Sequence, residues 1–509
     1  MHIKRAKQEI RDSIEAYLEK DEDGKYLIPS IRQRPILLMG PPGIGKTQIM
    51  EQIARECGIG LVSYTITHHT RQSAVGLPFI RERIYGGQTY SVTEYTMSEI
   101  IASVYEKMEK TGLKEGILFL DEINCVSETL APTMLQFLQC KMFGNHRVPE
   151  GWIIVAAGNP PEYNKSVREF DIVTLDRLKR IDIEENYEVW REYAYEAGID
   201  PAILAYLEIR RDHFYRVENT VDGKQFVTAR GWEDLSELLR VYRKLGKKAD
   251  REVVHQYLQN WEVAKDFANY LELYEKYKKD YGLEKIVQGI YGEDVLEKLK
   301  FAPFDERFSI VGMLNGKLAE YFREYRTEDA MTERLYEALK VYKEEQDLPA
   351  VISRLRTGLQ EKKRSEILTG AQEKLEREVI SRLESYLQRW KLSKEEEHAG
   401  WEAEFAFVKD AFGEQVEKRQ EVTDRTMEAL EHTFRFLEDA FGESQEMAAF
   451  LAELNTNGDS IRFLRENDCP YFYKYNKGLL FDERQKEILT EMENLEKSID
   501  TSQVSSYNE

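Results

Sequence analysis

The eight residues Gly40–Thr47, GPPGIGKT, constrain this chain more than any other feature. The spacing G-x-x-x-x-G-K-[ST] lets a backbone curl tightly enough for its N–H groups to face phosphate oxygens. The flanks say what carries the loop. Ile36, Leu37, Leu38 and Met39 read as a buried parallel strand, and Ile49, Met50, Ile53, Ala54 and Cys57 recur at helical spacing until Gly58. The pattern therefore predicts a strand, a phosphate-binding loop and a helix whose positive end adds to the loop. Gly40, Pro41, Pro42, Gly43, Ile44 and Gly45 would wrap the phosphates, and Lys46 would reach the β- and γ-phosphates. The Thr47 hydroxyl would be a magnesium ligand. The competing reading is an ordinary glycine-rich strand-to-helix turn, which the combined pattern disfavours.

Hydrolysis of a bound nucleotide needs a second apolar strand ending in carboxylates, and GILFLDEIN, residues 116–124, supplies one. Asp121 and Glu122 fall at the C-terminal end of that strand, where ligands gather in open α/β sheets. Asp121 would hold magnesium through water, and Glu122 would act as general base on the attacking water. Alone, the pair could equally be a helix cap with a first-turn acid. A third strand, in WIIVAAGNPPEYN, ends in Asn159, whose uncharged amide could bond both the γ-phosphate and the lytic water. A turn-forming Asn before Pro160 and Pro161 would suit the same backbone. NKSV at Asn164 fails as a guanine-reading NKxD element, which favours adenine. His68 and His69 lack a third ligand at metal spacing and read as loop residues.

Length and composition set the surroundings. With 509 residues and 42% hydrophobic content the chain has room for two to four domains with real cores. Its apolar runs fall far short of the roughly 20 residues that cross a bilayer, and its charged N-terminus is no secretory signal, so the expectation is a cytoplasmic protein. Cys57, Cys125, Cys140 and Cys469 are widely spaced and read as buried or incidental thiols. A formal net charge of −21 opposes a nucleic-acid backbone over most of the surface and argues for protein partners.

Ten of the thirteen prolines lie at or before Pro201, so the two halves are built differently. Short apolar strands (ILLM, LVSYTIT, ILFL, WIIVAA, IDI) alternate with amphipathic stretches up to about residue 185, the pattern of a three-layer α/β sheet behind an N-terminal helix at 3–19. Residues 186–325 read as a helical domain rich in aromatics. Residues 326–495 read as long charged helices, a bundle or coiled-coil-like extension. One apolar stripe there joins Leu375, Val379, Ile380, Leu383, Leu387 and Trp390; another joins Leu430, Phe434, Leu437 and Phe441. Residues 496–509 read as a disordered tail.

In this order the motifs resemble those of the AAA+ ATPases, and within them the MoxR group, over roughly residues 34–240. GPPGIGKT resembles its Walker A, ILFLDEIN its Walker B and AAGNPPEYN its sensor 1 segment. THHTRQSAVGLPFIRERIYGGQTYSVTEY resembles the helix 2 insert, with Gly86 and Gly87 at a hairpin tip, and LQCKMFGNHRVPEGW falls where the family has its pre-sensor 1 hairpin. The resemblance implies a parallel-sheet nucleotide-binding domain with a helical lid and a long mainly α-helical C-terminal extension. It implies ATP and Mg2+ as ligands and a hexameric ring. In such a ring an arginine from the neighbour completes each site. TLDRLKRIDI fits that arginine-finger region; Leu178 departs from the usual Phe, leaving Arg177, which is favoured, and Arg180 both open. Either could instead salt-bridge Asp171 or Asp176 on an exposed loop. FVTARGWEDLSELL resembles the sensor 2 helix, with Thr228 as cap and Arg230 facing the γ-phosphate, or else a surface arginine. The resemblance further implies chaperone-like maturation of partner protein complexes, often with a separate von Willebrand factor A domain protein. No nucleic acid or membrane is expected. Two other readings stay open: a nucleic-acid-dependent AAA+ motor, and a scaffold that hydrolyses slowly.

Overall fold

Three strands, Ile36–Met39 (β1), Gly60–Thr65 (β2) and, after an antiparallel hairpin of Pro78–Tyr85 (β3) and Gln88–Tyr95 (β4), Gly116–Asp121 (β5), begin the central sheet. A short hairpin, Met142–Phe143 (β6) and His146–Arg147 (β7), precedes its last two strands, Trp152–Gly158 (β8) and Lys179–Asp182 (β9). The sheet order is β2-β5-β8-β1-β9, with every pairing parallel. The computed structural model describes residues 1–68, 74–163, 170–220, 223–393 and 400–477.

Period-two alternation feeds two cores from one set of strands. Ile36, Leu38, Ile117, Phe119, Ile153 and Val155 point to one face, against Ile10 and Ile14 of the helix Ile3–Leu18 (α1) and Ile49, Met50 and Ile53 of the helix Lys46–Cys57 (α2). Leu37, Met39, Leu118, Leu120, Ile154 and Ala156 point to the other, against Ile100 and Val104 of helix Glu99–Thr111 and Met134, Phe137 and Leu138 of helix Ala131–Cys140. Burial on both faces is why these strands read as continuous apolar runs. The α/β expectation, with its strands and its N-terminal helix, is therefore met. The hairpin tip at Gly86 and Gly87 is also found, Tyr85 pairing with Gln88. One strand is shorter than expected, since β2 stops at Thr65 and Ile66–His68 form a 3-10 turn.

The segment from 186 to about 300 is not helical throughout. After helices Tyr187–Ala197 and Pro201–Ile209 comes an antiparallel hairpin, Arg216–Thr220 (β10) and Gly223–Val227 (β11), before helices resume at Ala229–Lys244. The Asp222–Gly223 dipeptide between short β-prone runs was the signal for it.

The chain divides into two compact units that do not follow the expected linear boundaries. One comprises Met1–Trp190, Phe214–Asp234 and Arg334–Lys409; the other comprises Arg191–His213, Leu235–Glu333 and the described chain from Asp410 to residue 477. The stretch 326–495, expected as one extension, is thus shared between them. In the first unit, helix Gly370–Leu392 starts with a capping box between Thr369 and Gln372. It buries Val379, Ile380, Leu383, Tyr386 and Trp390, while Leu375 and Leu387 are only half-buried. In the second unit Leu430, Phe434 and Leu437 are fully buried, and Phe434 meets Phe450 edge-on at 5.0 Å. Among the described residues no helix is long and apolar enough to cross a membrane. The expected tail, His69 and Asn164 lie outside the described residues.

Candidate functional site

The tips of three neighbouring strands, β5, β8 and β1, bring the Gly40–Thr47 loop, Asp121, Glu122 and Asn159 together, all within the first unit. The loop after β1 turns at Gly43 and Gly45, whose φ values of 75° and 90° lie in the left-handed region open to glycine. Gly43 is doubly required, because a Cβ there would sit 2.9 Å from the Thr228 side chain. The loop is also tied to strand β8, Gly40 N–H donating to Gly158 O at 3.3 Å.

Lys46 opens α2 yet is only 8% exposed. Its Nζ donates to Gly40 O and Pro41 O, both at 2.8 Å, and to Asn159 Oδ1 at 2.9 Å. Burial pushes its pKa down to about 8, opposed by the nearby Asp121 and Glu122 carboxylates and reinforced by the Arg230 cation. A desolvated ammonium ringed by carbonyl and amide oxygens is a cation short of countercharge, which an anionic ligand would supply.

Thr47 Oγ1 donates to Asp121 Oδ2 at 3.1 Å. Next to it Glu122 has φ 55°, left-handed for a residue with a Cβ, and its N–H donates to Asp121 Oδ1 at 2.9 Å. Such a conformation costs on the order of 1–3 kcal/mol and is retained where the surroundings dictate it. Among the described residues no three His, Cys, Asp or Glu side chains gather to hold a metal by themselves. The Thr47 hydroxyl and Asp121 carboxylate instead form the sparse, hard-oxygen set that suits magnesium sharing its remaining positions with water and phosphate. The residues present fit a phosphate chain together with Mg2+.

Two parts of the site were missing from the sequence reading. Asn124 clamps the backbone of Asn159 from both sides, Nδ2 donating to Asn159 O at 2.8 Å and Oδ1 accepting from Asn159 N–H at 3.3 Å. A Cβ on Gly158 would collide with it at 2.6 Å. The signal was there as the last letter of DEIN. The second part flanks the β10–β11 hairpin: Tyr215, just before β10, donates from Oη to Pro42 O at 3.2 Å, and Glu233, in helix Ala229–Lys244, accepts from Gln48 of α2 at 3.4 Å and from Trp190 at 3.3 Å. Burial raises the Glu233 pKa.

Thr228 caps its helix as expected, accepting from Gly231 N–H at 3.3 Å. Arg230 is exposed beside the loop, its backbone N–H donating to Gly43 O at 3.3 Å. Arg177 and Arg180 do not join the group. Arg177 precedes β9, at the end of the sheet away from the loop, and hydrogen-bonds Gln139; Arg180 pairs with Asp182 at 2.8 Å rather than with Asp171 or Asp176.

Comparison with known proteins agrees with this geometry at a coarse level. Residues 36–177 match the family model of the ATPase family associated with various cellular activities (AAA). The matched span runs from the start of β1 to Arg177 and so contains Lys46, Thr47, Asp121, Glu122 and Asn159. No curated protein matches the chain.

Proposed function

We propose that this chain is an ATP-hydrolysing AAA+ ATPase of the MoxR-like kind. It works in the cytoplasm as a hexameric ring that remodels or matures partner protein complexes with a separate von Willebrand factor A domain protein. The observation that carries the reading is the convergence of Lys46, Thr47, Asp121 and Asn159 at three adjacent strand tips. ATP would lie along Gly40–Gly45, its phosphates replacing the carbonyl oxygens that Lys46 now contacts. Thr47 and Asp121 would hold the magnesium ion, which supplies positive charge to the β- and γ-phosphate oxygens. Glu122, fixed by its strained backbone, takes the proton of the attacking water. Asn159, held by Asn124, orients that water without adding charge. Arg230 meets the γ-phosphate from the same chain, and Arg177 meets the ATP of a neighbouring subunit. Its place at the far end of the sheet supports a role in trans over one in its own site.

The test is Glu122→Gln, assayed by phosphate release, nucleotide binding and native mass in ATP. Turnover should fall about a hundredfold or more with binding nearly intact, and the ATP-loaded protein should run as a hexamer. Wild-type turnover in the variant would remove Glu122 as the base, and a monomer in ATP would remove the ring.

A further inference from the structure

Far along the chain from the phosphate loop, and within the second unit, a cavity of about 210 Å3 has Arg240, Arg243 and Arg323 in its wall beside Gly198, Asp200 and Glu320. Most of these charges are already matched. Arg243 donates to the buried Asp200 carboxylate, at 3.1 Å through Nη2, and to Glu275 at 3.2 Å. Arg240 donates to Gly198 O at 3.0 Å and pairs with Glu237 at 3.2 Å, while Glu320 pairs with Lys317 at 2.8 Å. Arg323 is different. It is half-buried, and its side chain has no hydrogen-bond or ion-pair partner among the described residues. Its Nη1, Cζ and Nη2 all lie 3.5 to 3.6 Å from the point where a Gly198 Cβ would stand, so the guanidinium lies flat over the glycine with its donor edges free.

A half-buried guanidinium has lost part of its hydration and, unlike its two neighbours, has gained no acceptor for its five N–H donors. The wall around it is small, formed in part by Gly316, Ala319 and Pro201, so the space is open rather than filled. The volume is below the ~300–1,000 Å3 of pockets that hold drug-sized ligands. It suits a small group. The wall itself carries three arginines against two carboxylates, Asp200 and Glu320, and it offers the free fork of Arg323 and the uncommitted Nε of Arg240 as donors. Planar guanidinium edges match phosphate oxygens bidentately, and a tetrahedral oxyanion has enough acceptors for both arginines at once.

We propose that this cavity is a binding site for a small phosphate anion, inorganic or the terminal phosphate of a compact molecule, with Arg323 as its principal ligand. The site is separate from the nucleotide loop and does not depend on the ATPase reading.

The test is isothermal titration of inorganic phosphate and of pyrophosphate into the full chain carrying Lys46→Ala, which removes the loop as a competing phosphate site. Acetate at matched ionic strength is the carboxylate control. One of the two phosphates should bind and acetate should not. Arg323→Gln should weaken binding at least tenfold, and Arg323→Lys, which keeps the charge but loses the fork, should fall between. Circular dichroism of each variant checks that its fold is kept. The proposal is overturned if neither phosphate binds below about 10 mM, if Arg323→Gln binds as tightly as its parent, or if acetate binds equally well.

Discussion

Lys46 and Lys141 are two buried lysines in the same unit, and the difference between them shows what a depressed pKa does and does not reveal. Each is 8% exposed, and burial pushes each pKa down to about 8. Around Lys46 stand Asp121, Glu122, Asn159 and Arg230, drawn from the tips of two other strands and the start of a further helix. Lys141 sits with φ 54° at the end of helix Ala131–Cys140, donates to Ser30 O at 2.7 Å, and owes its shift to burial alone. Desolvation marks both; only the first has groups that a ligand could share. The shift becomes a functional sign when other polar groups converge on the same space.

The largest effect that tests this contrast is on nucleotide affinity. Lys46→Met should abolish measurable ATP binding, a loss of a hundredfold or more, because it removes the cation the phosphates would meet. Lys141→Met should leave affinity within about twofold, as expected of a site independent of the nucleotide. Equilibrium binding of a fluorescent ATP analogue reads both. Equal losses in the two variants would dissolve the distinction.

A smaller effect comes from pH. If ATP binds the protonated form of Lys46, its affinity should be level below pH 8. Above that it should fall toward tenfold per unit as the free protein loses that proton, until the pKa of the bound form is reached. Lys141 titrates over the same range and, in a Lys141→Met protein, the profile should be unchanged. An affinity that stays level to pH 10 would show that the ammonium is not what the phosphates meet.

Much of the first residue's setting was legible in the sequence, and almost none of the second's. Gly43, Gly45, Lys46 and Thr47 are local, so their spacing predicts a conformation that chain neighbours alone enforce. Asp121 and Asn159 were legible for another reason: each ends an apolar strand, and parallel sheets collect strand ends along one edge. Asn124 was missed because its partner lies 35 residues away, and only the β5–β8 pairing brings the two together. The β10–β11 hairpin was missed because a two-stranded ribbon lacks the long periodicity that marks the helices around it. The division into units was missed for a similar reason. Apolar stripes say that a helix face is buried, not which partner buries it, so the stripes of Val379 and Phe434 read as one bundle although they belong to different units. Lys141 had no sequence signature at all. A lone lysine after a helix reads as a solvated C-cap, and its burial depends on Ser30, 111 residues earlier.

The smallest effect is on stability, and its sign separates a structural charge from a costly one. Folding lowers the Lys141 pKa from 10.5 to about 8, so below pH 8 the fold holds an ammonium that the unfolded chain solvates better. That penalty is about 3 kcal/mol at 1.36 kcal/mol per pKa unit. Between pH 8 and 10.5 the unfolded chain binds more protons than the fold, so the penalty shrinks as pH rises and stability increases. Methionine has similar length and no charge, so Lys141→Met should remove the penalty while giving up the hydrogen bond to Ser30 O, which is worth about 1 kcal/mol net. The balance is a gain of about 2 kcal/mol at pH 7, seen as a rise of a few degrees in the melting temperature. The gain should vanish by about pH 10, where the wild-type amine is already neutral in the fold. A variant less stable than wild type at pH 7 would mean that Lys141 is held as a useful cation, with a countercharge in the working assembly. It would then stand beside Lys46 as a second buried charge kept for a ligand.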